Sequence, residues 1–129
     1  MNAPKIATHL ALVAGGMDFL TGLGLGFAPE FTLRLMLVPP PEPAALPYLR
    51  FVGAFVGAVG AAYLWALGAP ARLRTTLAVL VFPCAAAAGF TGLAVSLGAL
   101  PAPWLSVTVT DLTLVAMQLW LLRNWERTG

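Results

Sequence analysis

Four apolar blocks, at about residues 6–27, 48–67, 75–98 and 105–123, take up most of this 129-residue chain. Each holds about 19–24 residues, or roughly 28–36 Å as a helix, which matches about 30 Å of bilayer hydrocarbon. Hydrocarbon offers the backbone no hydrogen-bond partner. Blocks of this length must therefore satisfy their own N–H and C=O groups, as helices. The period-two alternation of a membrane barrel is absent. Only 9% of the residues are charged and 60% are hydrophobic, whereas soluble domains carry about 25% charged residues. The expected fold is all-α, an integral membrane four-helix bundle forming a single domain over residues 1–129.

The first block is not expected to be a cleaved signal peptide. It is too long for a signal core, contains Asp18, and is followed by Phe27-Ala28-Pro29, with proline where cleavage would fall. Four spans put Lys5, Arg72, Arg74, Arg123 and Arg127 on one side. Arg34, Glu30, Glu42 and the edge residue Arg50 fall on the other. The positive-inside rule then sets both termini in the cytoplasm and the chain in the cell (inner) membrane. Tyr48 and Trp104 mark the outer boundary, and Trp65, Trp120 and Trp125 the inner one. The net charge of +2 is not gathered into a patch, so no nucleic-acid partner is expected.

Residues 28–47 form the one long connection. Ala28-Pro29-Glu30 opens it as a helix start, with proline and an acid in the first turn. A short helix lying in the membrane interface fits Phe31, Leu33, Leu35, Met36 and Leu37. Pro39-Pro40-Pro41-Glu42-Pro43 follows as a stiff spacer. The loop either returns the chain or acts as a lid over the bundle. Pro83, inside the third block, should kink its helix and free a carbonyl.

Small residues line three helices, with Ala85, Gly89 and Gly92 on the third. Ala11, Ala14, Gly15, Asp18, Gly22 and Leu25 share a stripe of the first helix, and Gly53, Gly57 and Ala61 share a face with Arg50 on the second. Gly22/Gly26 and Gly53/Gly57 are GxxxG pairs, which let helices approach closely either within the bundle or between subunits.

Ionised groups inside hydrocarbon cost roughly 2.5–3.5 kcal/mol each, so Asp18 and Asp111 demand a partner or a use. Asp18 lies roughly 13 Å and Asp111 roughly 9 Å below the outer boundary, counted at 1.5 Å per residue. Arg50 can reach inward to the same level. The expectation is a buried cluster of Asp18, Asp111 and Arg50, with Asp111 paired to Arg50 and Asp18 neutral at pH 7. The alternative is structural, with Arg50 snorkelling to headgroups and each acid hydrogen-bonded locally. Thr108 and Gln118 share the polar face of Asp111 and are candidate substrate-binding residues. Cys84, the only cysteine, allows no internal disulfide. His9, the only histidine, reads as an interfacial residue. No cofactor or metal motif is present, and none is expected.

Ala28-Pro29-Glu30 after a glycine-rich helix, Tyr48-Leu49-Arg50-Phe51-Val52-Gly53-Ala54 opening the next, and Asp111 followed by Leu119-Trp120-Leu121-Leu122-Arg123 form a set of local patterns. In these the chain resembles the DoxX-like four-helix superfamily of small bacterial membrane proteins, in an uncharacterised branch. The resemblance spans most of the chain. It implies a four-helix bundle with Arg50 and Asp111 at typical polar positions. Some DoxX-type members are linked to quinone-coupled thiol or thiosulfate oxidation, for which the lone Cys84 supplies no dithiol.

Three functions fit these features. The first is an accessory or binding subunit, partnered by the lipid bilayer, a lipophilic small molecule, a second copy or a larger membrane complex. A cofactor-independent isomerase or cyclase acting on an isoprenoid or polyketide is the runner-up, with Asp18 as acid, Asp111 as base and Arg50 as charge partner. A small proton-coupled exporter using Asp18 is the third.

Overall fold

The structure, a computed structural model, describes residues 2–126. Arg127, assigned above to the inner side, lies outside them. The described chain is helical throughout: α1 (Ala3–Phe27), α2 (Pro29–Leu35), α3 (Leu46–Ala66), α4 (Pro70–Ser96) and α5 (Leu105–Asn124). Single 3-10 turns, Pro43–Ala45 and Ala102–Trp104, lead into α3 and α5. All but α2 are long and apolar enough to cross a membrane. Large apolar side chains such as Val13, Phe82 and Phe90 are at least two-thirds exposed. Apolar surface on that scale belongs against lipid and not water.

Three of the long helices begin two to five residues before their apolar blocks. The difference is largest at α4, which starts at Pro70 and not near 75. Pro70 supplies a preset φ where the helix has no use for an N–H, and Ala69 enters extended at φ −161°, ψ 140°. Arg72 and Arg74, expected in a connection, are thus helical. Arg72 lies over the Trp65 ring, 4.8 Å from its centroid, and Arg74 pairs with Glu126 at 3.3 Å. Hydropathy marks the hydrocarbon layer, whereas the helix continues into the interface. At the other end α4 stops at Gly98, whose φ of +72° turns the chain without a side-chain clash.

The connection after α1 is helical where the sequence indicated. α2 carries Pro29 and Glu30 in its first turn and Arg34 in its last. The Thr32 hydroxyl donates to the Ala28 carbonyl at 2.9 Å. Buried Leu33 packs with Leu25 and Val38, against Leu49, Met36 and Trp104. α2 ends at Leu35, and two residues on Leu37 is held at a left-handed φ of 60°. Glu42, at φ −63° and ψ 145°, has the polyproline geometry expected of the spacer. α4 runs unbroken through Pro83.

The bundle is built from two antiparallel pairs, α1 with α3 and α4 with α5, and contacts between the pairs are sparser. The first pair is a backbone-to-backbone contact made by glycine. A Cβ on Gly22 would strike the main chain of Gly57 and sit 2.7 Å from the Gly53 carbonyl oxygen. A Cβ on Gly60 would strike the Phe19 backbone. Both GxxxG pairs therefore serve packing inside this chain. The second pair is fastened by Thr91 and Thr108, whose hydroxyls lie 2.7 Å apart.

Two apolar cores result. The larger, at the end of the bundle that holds the termini, gathers Ala7, Leu10, Ala14, Leu77, Leu114 and Leu121, among others. The smaller is the Leu25–Leu33–Val38 cluster at the opposite end. On α1, Asp18 falls between Ala14 and Leu25. On α5, Asp111 falls between Trp104 and Leu114. These two acids fall between the cores, whereas Tyr63 and Cys84 belong to the larger core itself.

Candidate functional site

Asp18 follows Ala14 by one helical turn, and Asp111 precedes Leu114 by three residues, so both carboxylates continue inward-facing stripes. Each is half-buried. They are close enough to interact electrostatically. Asp111 and the Cys84 thiol on α4 are also close enough to interact electrostatically. The Cys84 Sγ in turn lies 3.9 Å from the Tyr63 hydroxyl on α3. Gln118, one face of α5 further along, donates its Nε2 N–H to the same hydroxyl.

A buried hydrogen-bond network thus links α3, α4 and α5, and the two acids lie near it. Its donors can point one way: the Gln118 amide to Tyr63, and the Tyr63 O–H to Cys84. Tyr63 and Gln118 are completely buried, where unpaired polar atoms cost about 1–3 kcal/mol. One such atom exists, because the Gln118 Oε1 has no hydrogen-bond partner.

The expected cluster is only partly assembled. Asp18 and Asp111 come together. Arg50 does not pair with either of them. Among the described residues the single salt bridge is Arg74–Glu126. Arg50 is exposed near the start of α3 and lines a surface cleft with Glu30 and Arg34. The physical reason is helix direction. Side chains lean toward their helix N-terminus, which carries Arg50 outward, away from the acids. Thr108 is engaged by Thr91 across α4 and α5. Gln118 is in the network, seven residues or roughly 10 Å along α5 from Asp111. His9 is exposed near the start of α1, with Nδ1 2.7 Å from the Lys5 carbonyl oxygen.

Tyr63 and Cys84 were not singled out as site residues from the sequence. A signal for Tyr63 exists: it lies three residues past Gly60, on the face of α3 that meets Gly15, where a Cβ would come within 2.8 Å of the Tyr63 Cβ. A large residue next to a glycine stripe is aimed at the neighbouring helix. Cys84 had no comparable signal, since its partners come from α3 and α5.

Alongside this network runs a groove of about 510 Å³ between α1 and α5. Leu10, Val13, Met17, Val109, Leu114 and Met117 make it almost wholly apolar, with His9 at one end. Met17 directly precedes Asp18, and Thr110, also in its wall, directly precedes Asp111. The groove thus runs from the α1 start to the level of the two carboxylates, which are not among its wall residues. Among the described residues no group of three or more His, Cys, Asp and Glu side chains is placed to hold a metal ion. Chemically, the arrangement offers an apolar slot open to lipid beside two neighbouring carboxyl groups, with hydroxyl, thiol and amide groups buried in the bundle.

Together these features define a multi-pass membrane protein built as two helix pairs around a polar seam. No protein-family model, curated protein or solved structure matches the chain.

Proposed function

We propose that this is a small membrane protein that binds a lipid-soluble molecule carrying a hydrogen-bond-donating end, a hydroxyl or an amine. The hydrocarbon body of the ligand lies along the α1–α5 groove, and its polar end meets Asp18 and Asp111. The observation carrying this reading is an apolar groove of about 510 Å³ whose Met17–Val109 end lies level with two half-buried carboxylates. Binding pockets for small molecules are mostly apolar with a few convergent polar groups, and typically span about 300–1,000 Å³.

Acid–base turnover of the same ligand is the second reading, favoured by the pairing of Asp18 with Asp111. One carboxyl gives a proton to the ligand while the other receives one. An isoprenoid or polyketide isomerase or cyclase would use these two residues in that way. Membership of the DoxX-like superfamily, placement in the inner membrane with both termini in the cytoplasm, and an accessory role in a larger complex belong to the same proposal. They rest on the sequence patterns and the arginine distribution.

The test is photolabelling of the protein in nanodiscs with a diazirine-bearing long-chain isoprenoid alcohol. Labels are expected on the α1 and α5 peptides that wall the groove. Val13→Trp, which fills the groove from an exposed position, should abolish them. Asp18→Asn should weaken binding about tenfold, the effect of one charge-assisted hydrogen bond. Labelling spread evenly over the lipid-facing residues of α4, unchanged by Val13→Trp, refutes the reading. Mass spectrometry of the recovered alcohol separates binding from turnover.

A further inference from the structure

A second concave site lies at the end of the bundle opposite the termini, where α2 folds back between the end of α1 and the start of α3. It is a cleft of about 370 Å³ lined by Phe27, Glu30, Phe31, Arg34, Leu46 and Arg50, among others. Arg34 comes from the last turn of α2 and Arg50 from the first turns of α3. Both are exposed, and neither has a carboxylate within ion-pairing distance among the described residues. Glu30 shares the cleft without pairing to either. Two guanidinium groups against one carboxylate leave it with a net charge of +1. Phe27 and Phe31 offer exposed apolar surface beside that charge.

The position of this cleft sets its depth. It sits at the ends of two membrane-length helices, Ala3–Phe27 and Leu46–Ala66, which is the level of lipid headgroups. Arginine is suited to phosphate because its planar fork offers parallel N–H donors and remains charged. Two arginines held by separate helices can grip one phosphate from two directions. Their own backbones are fixed by helix geometry, so the grip does not require ordering a loop.

We infer that Arg34 and Arg50 form a phosphate-binding cleft whose ligand is the headgroup phosphate of an anionic glycerophospholipid. The glycerol and upper acyl chains lie over Phe27 and Phe31. Free phosphate shares the anionic chemistry but cannot use this apolar shelf. Glu30 limits the affinity by opposing the same charge. This inference is independent of the α1–α5 groove.

The test uses the full chain, purified in a mild non-ionic detergent, and follows thermal unfolding and native mass spectra. The probes are phosphatidylglycerol, dioleoylglycerol and inorganic phosphate, each added alone. Phosphatidylglycerol is expected to stay bound through gentle activation and to raise the unfolding temperature, whereas dioleoylglycerol should do neither. Arg34→Gln and Arg50→Gln should each weaken phosphatidylglycerol about tenfold, and together abolish the shift. Glu30→Gln should tighten it, a change that a merely misfolded cleft would not produce. All variants change exposed side chains, and unaltered helicity and elution volume establish that they fold. A response to inorganic phosphate matching that to phosphatidylglycerol, and lost in the double variant, supports the cleft and assigns it to a soluble source. Equal binding of dioleoylglycerol, or phosphatidylglycerol binding that survives the double arginine variant, overturns the proposal.

Discussion

Gly22→Ala is expected to pull α1 and α3 apart, although it adds a single methyl group. The added carbon would meet the Gly57 backbone and the Gly53 carbonyl oxygen at 2.7 Å. Backbone cannot rotate away as a side-chain tip can, so the helices must separate along the whole pair. Overpacking in a core commonly costs about 1–3 kcal/mol and sometimes more. Here the loss of the close contact adds to it, so about 3 kcal/mol or more is expected. Gly60→Ala should behave alike, because its Cβ would strike the Phe19 backbone. The informative controls are the other members of the same motifs. Gly26 has open space where a Cβ would go, and at Gly57 the nearest atom is 3.6 Å away. Gly26→Ala and Gly57→Ala should be tolerated, and the better helix propensity of alanine offers up to about 1 kcal/mol. Thermal unfolding of the four variants in detergent checks this. Equal loss at Gly22 and Gly26 would mean that the motif, and not this particular contact, governs packing.

Tyr63→Phe is the second substitution expected to have a large effect, by removing one oxygen atom. It leaves the fully buried Gln118 amide N–H without its acceptor, in a side chain whose Oε1 already lacks a donor. A buried polar group deprived of its partner costs about 1–3 kcal/mol. Replacing both partners by apolar groups of similar shape is nearly neutral by the same reasoning. Tyr63→Phe should therefore destabilise the bundle, and adding Gln118→Leu should recover most of that loss. The double-mutant cycle, read by thermal unfolding, should show a coupling of about 1 kcal/mol or more. Strictly additive effects would mean that the two residues do not share a hydrogen bond.

The fold was legible in the chain because length and hydropathy act locally. A helix in hydrocarbon answers only to its own backbone, so four blocks gave four spans, and the α2 start followed from proline and an acid in the first turn. The glycine stripes were legible for a related reason, since a missing side chain marks where a neighbour sits. The site was legible only in part. Asp18 and Asp111 stood out because charge in an apolar helix is expensive. Arg50 was assigned to them by depth alone, and depth does not fix which way a side chain leans. The structure places it instead in an exposed cleft beside α2. Tyr63 and Cys84 remained hidden because amphipathic and small residues are unremarkable in membrane helices. Their role depends on which helices pack together, which no local pattern encodes.

The division into two helix pairs has a consequence for how the molecule is made. The α1–α3 pair is complete in sequence by Ala66, before the first residue of α4. Its glycine contact requires nothing from the second half of the chain. The α4–α5 pair is likewise a sequence-local hairpin, joined by a short connection. The α4–α5 pair can close early across its short connection, and the α1–α3 pair closes across the longer segment 28–45, whose entropic cost grows only slowly with length. Asp18 and Tyr63 are then carried on one preassembled face, and Cys84, Asp111 and Gln118 on the other. Docking of two finished halves is the step that removes these five polar groups from lipid, so assembly itself is what conceals the seam.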